Sequence, residues 1–284
     1  MSLFERKYKV AKFVYADNAA TTPVSREVIE EMLPCLEECY GNPSSLHQKG
    51  REAKDILDSA RERVAAALGC DASEIYFTSG GTESDNWAIR GAAMRMKAKG
   101  RTHIVTSKIE HHAVLHTCDA LEREGFTVTR IGVDEDGVIS LDELREAVTD
   151  KTALVAIMYA NNEVGTIEPI EEICEIAHAK GALVFTDAVQ AVGNLKIDLS
   201  TLSVDMLSLS GHKLHAPKGI GALFVRRGVS ITNLIEGGGQ EKRRRGGTEN
   251  VAYAVGVLNL SDVSRVCEVV HYLFAVFHLF ILSF

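Results

Sequence analysis

The stretch SLSGHK, from Ser208 to Lys213, is the part of the sequence from which the fold can be worked out. An apolar run from Val204 to Leu209 overlaps its start and predicts a short buried strand, and a second strand-like run follows from Gly219 to Val225. Lys213 is therefore expected in the turn where a core strand ends. A partly desolvated amine in such a place has a lowered pKa, which suits a lysine that forms a Schiff base. Taken alone, the same pattern also fits an ordinary surface lysine in a loop.

Strand and helix patterns alternate on the N-terminal side of this stretch. Helices are predicted from Arg26 to Cys39, with Ser25 as N-cap, and from Gly50 to Leu68, ended by Gly69. The strongly apolar run from Ala153 to Tyr159 predicts a strand. Such continuous apolar strands fit a parallel sheet that is buried on both faces. The sequence therefore predicts an α/β fold with a mainly parallel sheet sandwiched by helices.

Polar groups follow several predicted strands, at the edge of a parallel sheet where ligands bind. Asp187 ends the apolar strand from Ala182 to Thr186, and a glycine turn at Gly80 and Gly81 opens a helix in a way that could hold a phosphate. A lysine, a strand-end aspartate and a phosphate cradle are the groups that pyridoxal 5'-phosphate needs. The candidates predicted at this edge are the Gly81-Thr82 turn, His111, Asn162, Asp187 and Lys213.

Further polar side chains in the same segments could complete a cofactor site, as phosphate donors, as a flat group over the ring and as amides at the ring oxygen. They have ordinary explanations as well, because serine and histidine are common in turns and surfaces and an aspartate such as Asp187 often caps a helix. The residues are Ser210 and His212 for the phosphate, His111 or His112 for the ring face, and Gln190 and Asn162 for the ring oxygen.

The overall composition is that of an ordinary globular protein, with 46% hydrophobic and 25% charged residues among 284. The formal net charge of -8 argues against a protein that binds nucleic acid directly. The basic run from Lys242 to Arg245 is local and fits a loop that meets a phosphate or a carboxylate.

The six cysteines contain no C-x-x-C pair, so no metal site is predicted. The N-terminus has no apolar signal core, so we expect a cytoplasmic protein whose cysteines are thiols.

The last part of the sequence has a different character. From Val263 to Phe284 it is rich in valine, leucine and phenylalanine. A transmembrane helix needs about 20 apolar residues, and Glu268, His271 and His278 interrupt this run, so a membrane anchor is not favoured. A sequence that is truncated, or shifted out of its frame near Asn259, is the alternative. The predicted organisation is an N-terminal segment (1–16), a large cofactor-binding domain (17–259) and an atypical apolar tail (260–284).

Six short blocks lie in order, with compatible spacing, between about Val14 and about Val257: Asp17–Pro23, Thr78–Asn86, Glu110–Val114, Asn161–Gly165, Asp187–Gln190 and Ser210–Lys213. On these blocks the chain resembles the NifS/IscS-type cysteine desulfurases. That family belongs to the class-V aminotransferase group of fold-type I pyridoxal-phosphate enzymes. Agreement of six blocks together makes the resemblance highly specific.

The resemblance implies the large domain of such an enzyme and a reaction. L-Cysteine would become L-alanine, and its sulfur would pass as a persulfide to an enzyme cysteine. An iron–sulfur scaffold or another sulfur-acceptor protein would then use the sulfur for cluster assembly or tRNA thiolation. The implied roles are Lys213 as the Schiff-base lysine, His111 as the ring-stacking and proton-transferring histidine, Asp187 at the pyridine nitrogen, Gln190 at the ring hydroxyl, Asn162 as a cofactor-contacting amide, and Gly81, Thr82, Ser210 and His212 at the phosphate.

Thr248 matches a threonine that reaches the phosphate of the neighbouring subunit, so the resemblance also implies a homodimer.

The family's persulfide-forming cysteine and substrate-binding arginine lie well beyond Val257, in a small C-terminal domain, and the sequence reaches Phe284 without either block. Cys267 lacks the small-residue loop of that cysteine and is not assigned its role. We therefore expect a chain that binds pyridoxal phosphate but does not complete sulfur transfer. The alternatives are a related class-V enzyme, such as a selenocysteine lyase or an aminotransferase, and a non-catalytic truncated partner that dimerises.

Overall fold

The structure, a computed structural model, describes residues 14–257 of the chain. Seven strands of this described part form one sheet. They are β1 (Ile75–Thr78), β2 (His103–Ser107), β3 (Thr127–Ile131), β4 (Thr152–Ala156), β5 (Leu183–Asp187), β6 (Met206–Ser210) and β7 (Gly221–Val225). Their order across the sheet is β1-β7-β6-β5-β4-β2-β3.

Within this sheet, β7 runs against its neighbours. β3, β2, β4, β5 and β6 pair in parallel, whereas β7 is antiparallel to both β6 and β1. A parallel return needs a crossover of about a dozen residues or more. The connection from Ser210 to Gly221 is shorter, so β7 folds back beside β6 with these two residues paired. The mainly parallel sheet expected from the sequence is confirmed, and β7 makes it a mixed sheet.

Helices cover both faces of the sheet. Among the described residues they are α1 (Arg26–Glu37), α2 (Gln48–Leu68), α3 (Gly81–Lys97), α4 (His112–Arg123), α5 (Leu141–Ala147), α6 (Ile170–Ala179), α7 (Gln240–Arg243) and α8 (Val251–Ala254). α3 and α4 pack on one face with Leu154, and α2, α5 and α6 pack on the other with Val155. Both of these successive strand residues are fully buried, which explains why the strands are apolar throughout.

Local sequence signals set most element ends. The Oγ of Ser25 accepts a hydrogen bond from the N–H of Val28 at 3.3 Å and caps α1. Gly69 ends α2 with a φ of 69°, in the left-handed region. The strand expected from Ala153 to Tyr159 is shorter than predicted: β4 ends at Ala156, because β2 no longer pairs with the chain beyond that residue.

Residues 1–13 and 258–284 lie outside the described part of the chain. The predictions for the apolar tail (260–284), including Cys267 and a membrane anchor, fall outside it, as does most of the N-terminal segment. Between residues 14 and 257, no helix is both long enough and apolar enough to span a bilayer.

Candidate active site

A cavity of about 580 Å³ opens at the carboxyl ends of the parallel strands. Its wall is formed by the turns that follow β1, β2, β4, β5 and β6, as expected for the ligand edge of an α/β sheet. The site residues predicted from the sequence line it, with the exceptions of Thr248 and of His112, the alternative to His111. Those on the wall are Gly81, Thr82, His111, Asn162, Asp187, Gln190, Ser210, His212 and Lys213.

The start of α3 forms one end of this cavity. Gly80 precedes the helix and provides no side-chain cap, so the N–H groups of the first turn have no capping side chain. A Cβ atom on Gly81 would lie 2.8 Å from Cγ2 of Val189, which leaves no room for a larger residue. Uncapped N–H groups at the positive end of a helix suit an anion such as a phosphate. Ser210 and His212 line the same cavity and can add donors.

Lys213 lies in a short 3-10 turn, Gly211–Lys213, directly after β6. Its Nζ donates hydrogen bonds to the carbonyl oxygens of Ala19 and, at 3.0 Å, of Ala20. The side chain is half-buried, and this desolvation lowers the pKa of the amine. A lowered pKa increases the fraction of neutral, nucleophilic amine at a given pH. The carboxylates that oppose this shift in pKa are Asp17, Asp187 and Glu163.

Asp187 is the last residue of β5 and is almost fully buried, with 5% of its surface exposed. Its Oδ1 accepts a hydrogen bond from the N–H of Val189 at 2.9 Å. No helix begins at this point of the described chain, so the helix-cap explanation of Asp187 is wrong. Desolvation raises the pKa of Asp187, while the bond from Val189 and the nearby His111 and Lys213 lower it.

A second buried carboxylate, Asp85, was missed by the sequence reasoning. It lies on α3 with 1% of its surface exposed and lines the cavity. Its Oδ1 accepts a hydrogen bond from the Oγ of Ser208 at 2.6 Å, and its carboxylate lies within 4.8 Å of polar atoms of His111 and Asp187. Burial, together with Asp187, raises the pKa of Asp85 well above its ordinary value. Spacing could have found it, since a residue four positions after Gly81 lies on the same face of the helix.

His111 is the N-cap of α4. Its Nδ1 accepts a hydrogen bond from the N–H of Ala113 at 3.1 Å, which leaves the hydrogen of the neutral imidazole on Nε2. His112, the other candidate for the ring face, is exposed and is not among the residues that line the cavity. Its ring lies 5.1 Å from that of His116 on the outside of the same helix. Of the two histidines, His111 is therefore the one in the site.

Amide side chains complete the wall of the cavity. Nε2 of Gln190 donates to the carbonyl of Ala19 at 3.0 Å, and Nδ2 of Asn162 donates to Oε1 of Glu163 at 2.6 Å. Asn161 has a supporting role that the sequence reasoning did not identify. It is buried, and its Oδ1 accepts from the N–H of Glu163 at 2.8 Å, which fixes the loop that carries Asn162.

Thr248 lies away from the cavity wall. It is exposed in the loop that follows β7, so one chain alone does not bring it to the predicted phosphate site. The same loop is tied to the site through Arg245, whose Nε and Nη2 donate to the two carboxylate oxygens of Glu83 at 2.8 and 2.9 Å. Glu83 also accepts from the N–H of Ser79 at 2.9 Å. One member of the basic run therefore meets a carboxylate at the start of α3.

The described cysteines are thiols that lie away from the cavity. Cys35, Cys118 and Cys174 are buried, and desolvation raises the pKa of Cys70, Cys118 and Cys174 to about 12. A thiol that accepts sulfur must be accessible and readily ionised. None of the cysteines between residues 14 and 257 lines the cavity. Cys70, Cys118 and Cys174 are also not readily ionised, because of their raised pKa.

The sequence is similar to curated cysteine desulfurases. The "Cysteine desulfurase IscS" of Methanosarcina thermophila is 56% identical over 253 residues, which cover 89% of this chain and 62% of that protein. The protein of the same name from Clostridium botulinum strain Hall is 53% identical over 246 residues, covering 87% of this chain and 62% of the relative. The chain therefore spans less than two thirds of the length of these relatives.

Solved structures agree with the fold. A protein described as "NIFS-LIKE PROTEIN" superposes with a TM-score of 0.86 at 46% identity, over 90% of this chain and 70% of that one. A structure of SspA in complex with cysteine gives a TM-score of 0.84 at 42% identity, over 89% and 72% of the two chains. Residues 14–267 match the family described as aminotransferase class-V. On this match, the chain belongs to the aminotransferase class-V family.

Proposed function

We propose that the cavity is the pyridoxal 5'-phosphate site of a cysteine desulfurase. The observation that carries the proposal is that Lys213, Asp187 and the uncapped start of α3 share one cavity. They supply an amine, a buried carboxylate and an anion-binding helix end, which are the groups that this cofactor requires. The high identity to proteins named cysteine desulfurase supports the same reaction.

The residues on the cavity wall fit the parts of the cofactor. When bound, pyridoxal phosphate withdraws electrons from an amino acid substrate and so allows the Cβ–S bond of cysteine to break. In the proposed arrangement the phosphate is held by Gly81 and Thr82 in the first turn of α3, together with Ser210 and His212. Asp187 meets the pyridine nitrogen and Gln190 meets the ring hydroxyl. Asn162 contacts the cofactor, and His111 covers the face of the ring.

Lys213 and His111 are the groups that move protons in this proposal. Desolvation lowers the pKa of Lys213, so its Nζ is available as a neutral base at a lower pH than the amine of an ordinary lysine. Hydrogen bonds to two backbone carbonyls hold Nζ in position. Because Nδ1 of His111 is engaged by Ala113, its Nε2 is the atom that exchanges a proton.

The proposed substrate is L-cysteine, which would become L-alanine. A cysteine thiol gives up its proton and bonds to the substrate sulfur, the Cβ–S bond breaks, and a C–H bond forms at Cβ. The persulfide then passes its outer sulfur to an iron–sulfur scaffold or another acceptor protein. None of the cysteines of residues 14–257 lines the cavity, so none of these is assigned as the accepting thiol. The structure of SspA with cysteine supports this class of substrate. We also propose a cytoplasmic homodimer, in which Thr248 of each chain reaches the phosphate site of the other.

Reconstitution of the purified chain with pyridoxal phosphate tests the proposal. Lys213→Ala should lose the lysine-bound absorption band and the mass increase after borohydride reduction. Lys218→Ala, a change to an exposed lysine in the same loop, should keep both. A borohydride adduct in Lys213→Ala would show that the assigned lysine is wrong.

The substrate is tested on the reconstituted protein. L-Cysteine should change the absorption spectrum of the bound cofactor, whereas D-cysteine and L-serine should not. A spectrum that responds to other amino acids but not to L-cysteine would overturn the proposed substrate and favour a related class-V enzyme.

A further inference from the structure

We propose that Asp85 is a positioning residue of this site, which shares one proton with Asp187 and so keeps a single negative charge on the buried pair. The inference deepens the proposed function, because Asp187 is the carboxylate assigned to the pyridine nitrogen. No role was assigned to Asp85 from the sequence.

The geometry of the two carboxylates is the first argument. Asp85 and Asp187 are buried, with 1% and 5% of their surfaces exposed, and their oxygens lie within 4.8 Å of each other. Two negative charges at this distance in a buried site repel strongly, so such a pair holds on to a proton. Ser208, the partner of Asp187 in the β5–β6 pairing, donates its hydroxyl to Asp85 and joins the pair to the sheet.

The surrounding charges decide where the proton resides. Glu110, itself buried, lies near both carboxylates, so it does not distinguish between them. His111 and Lys213 face Asp187 and favour its charged form. The proton therefore belongs on Asp85, and Asp187 carries the negative charge. A neutral Asp85 adds no second charge beside Asp187, and its hydrogen bond from Ser208 holds it in that position.

This arrangement makes asparagine the informative replacement. In Asp85→Asn the side-chain oxygen still accepts from Ser208 and the side chain stays uncharged beside Asp187. The amide cannot take up or release a proton. Asp85→Ala removes both the hydrogen bond from Ser208 and the proton.

The first experiment needs no cofactor. Folding equilibrium constants are measured by urea unfolding between about pH 5 and about pH 8 for the wild type, Asp85→Asn and Asp142→Asn. A carboxyl whose pKa is raised on folding binds a proton that the unfolded chain releases, so the folded state loses up to about tenfold in its equilibrium constant per pH unit. The folding equilibrium constant of Asp85→Asn should therefore fall less steeply with pH than that of the wild type, by up to about tenfold per pH unit. Asp142→Asn, whose aspartate is 91% exposed, should match the wild type.

A second measurement, made on the wild type, tests the proposal even if the Asp85→Asn variant does not fold. Wild-type protein labelled with ¹³C-aspartate should show the infrared C=O band of a protonated aspartic acid at neutral pH, and the band should vanish on unfolding. The proposal is overturned if this band is missing, or if Asp85→Asn has the same pH dependence of stability as the wild type.

The positioning role is tested with pyridoxal phosphate itself. Asp85→Ala should weaken its binding by about tenfold or more, as expected for the loss of a buried hydrogen bond, and Asp85→Asn should restore it to within about threefold. Unchanged binding by Asp85→Ala would refute the positioning role. If Asp187→Ala binds pyridoxal phosphate as the wild type does, the proposed function is refuted. The proposal that Asp85 and Asp187 share a proton would then still rest on the experiments without the cofactor.

Discussion

A buried ion pair anchors the loop that follows β7, and breaking it should destabilise the protein. Nη1 and Nη2 of Arg61 donate to the carboxylate of Glu241 at 2.7 and 2.8 Å, with 6% and 2% of the two side chains exposed. The N–H of Phe77 donates to the same carboxylate at 2.9 Å. Glu241→Ala leaves a buried guanidinium without its partner, which costs about 3–5 kcal/mol, and deprives Phe77 of its acceptor. Because these costs overlap, we expect a loss of about 4 kcal/mol in the free energy of unfolding.

Urea unfolding at neutral pH measures this loss as a lower midpoint with an unchanged m value. The control is Arg227→Ala, because the pair of Arg227 with Asp71 is 71% and 52% exposed and is worth less than about 1 kcal/mol. A double variant, Arg61→Met with Glu241→Leu, should recover most of the stability, since no charge then remains buried. A double variant as unstable as Glu241→Ala would refute the argument from the unpaired charge, and so would a loss below about 1 kcal/mol in the single variant.

Three other outcomes are expected at the site. Gly81→Ala should weaken pyridoxal phosphate binding about tenfold in a fluorescence titration, because its Cβ would meet Val189 at 2.8 Å, whereas Gly132→Ala, with its nearest atom at 3.8 Å, should bind normally. The rate at which Lys213 reacts with pyridoxal phosphate should rise with pH and level off below the pKa of an ordinary lysine, as followed by stopped-flow absorbance. Burial raises the pKa of Glu110 to about 8, so the wild type loses stability as pH rises toward that value. Glu110→Gln should therefore gain stability relative to the wild type over that range, and a gain independent of pH would contradict this.

The candidate site was largely predictable because its residues follow apolar runs. Thr82, Asp187 and Lys213 each come at or just after a strand that the hydrophobic pattern reveals. Parallel strands then bring these ends to one edge of the sheet without any further information. The direction of β7 was not predictable from periodicity, since an apolar run looks the same in either orientation. Thr248 was assigned through a second subunit, which the fold of one chain does not test.

Helical spacing places Asp85 on the same face as Gly81, but the burial of the missed residues depends on tertiary contacts. Asp85 lies in a helix, where a polar residue ordinarily faces solvent, and it is buried here because α3 lies against Ser208. Glu241, Lys242 and Arg243 adopt positive φ angles of 42°, 58° and 64°. Residues other than glycine rarely do so, so no local pattern marks this turn. The buried ion pair of Glu241 is what holds it in place.

The block from Asp17 to Pro23 contains no residue with an assigned role, yet its contacts explain why it accompanies the lysine. The N–H and the hydroxyl of Thr22 both donate to the carbonyl of His212 at 2.9 Å, and the same hydroxyl accepts from the N–H of His215 at 2.9 Å. Two carbonyl oxygens of the block accept hydrogen bonds from Nζ of Lys213. The turn after β6 thus provides the amine, and the loop before α1 sets its position. The block acts through geometry, because it holds the reactive nitrogen at the edge of the sheet where Asp187 and the start of α3 face the same cavity.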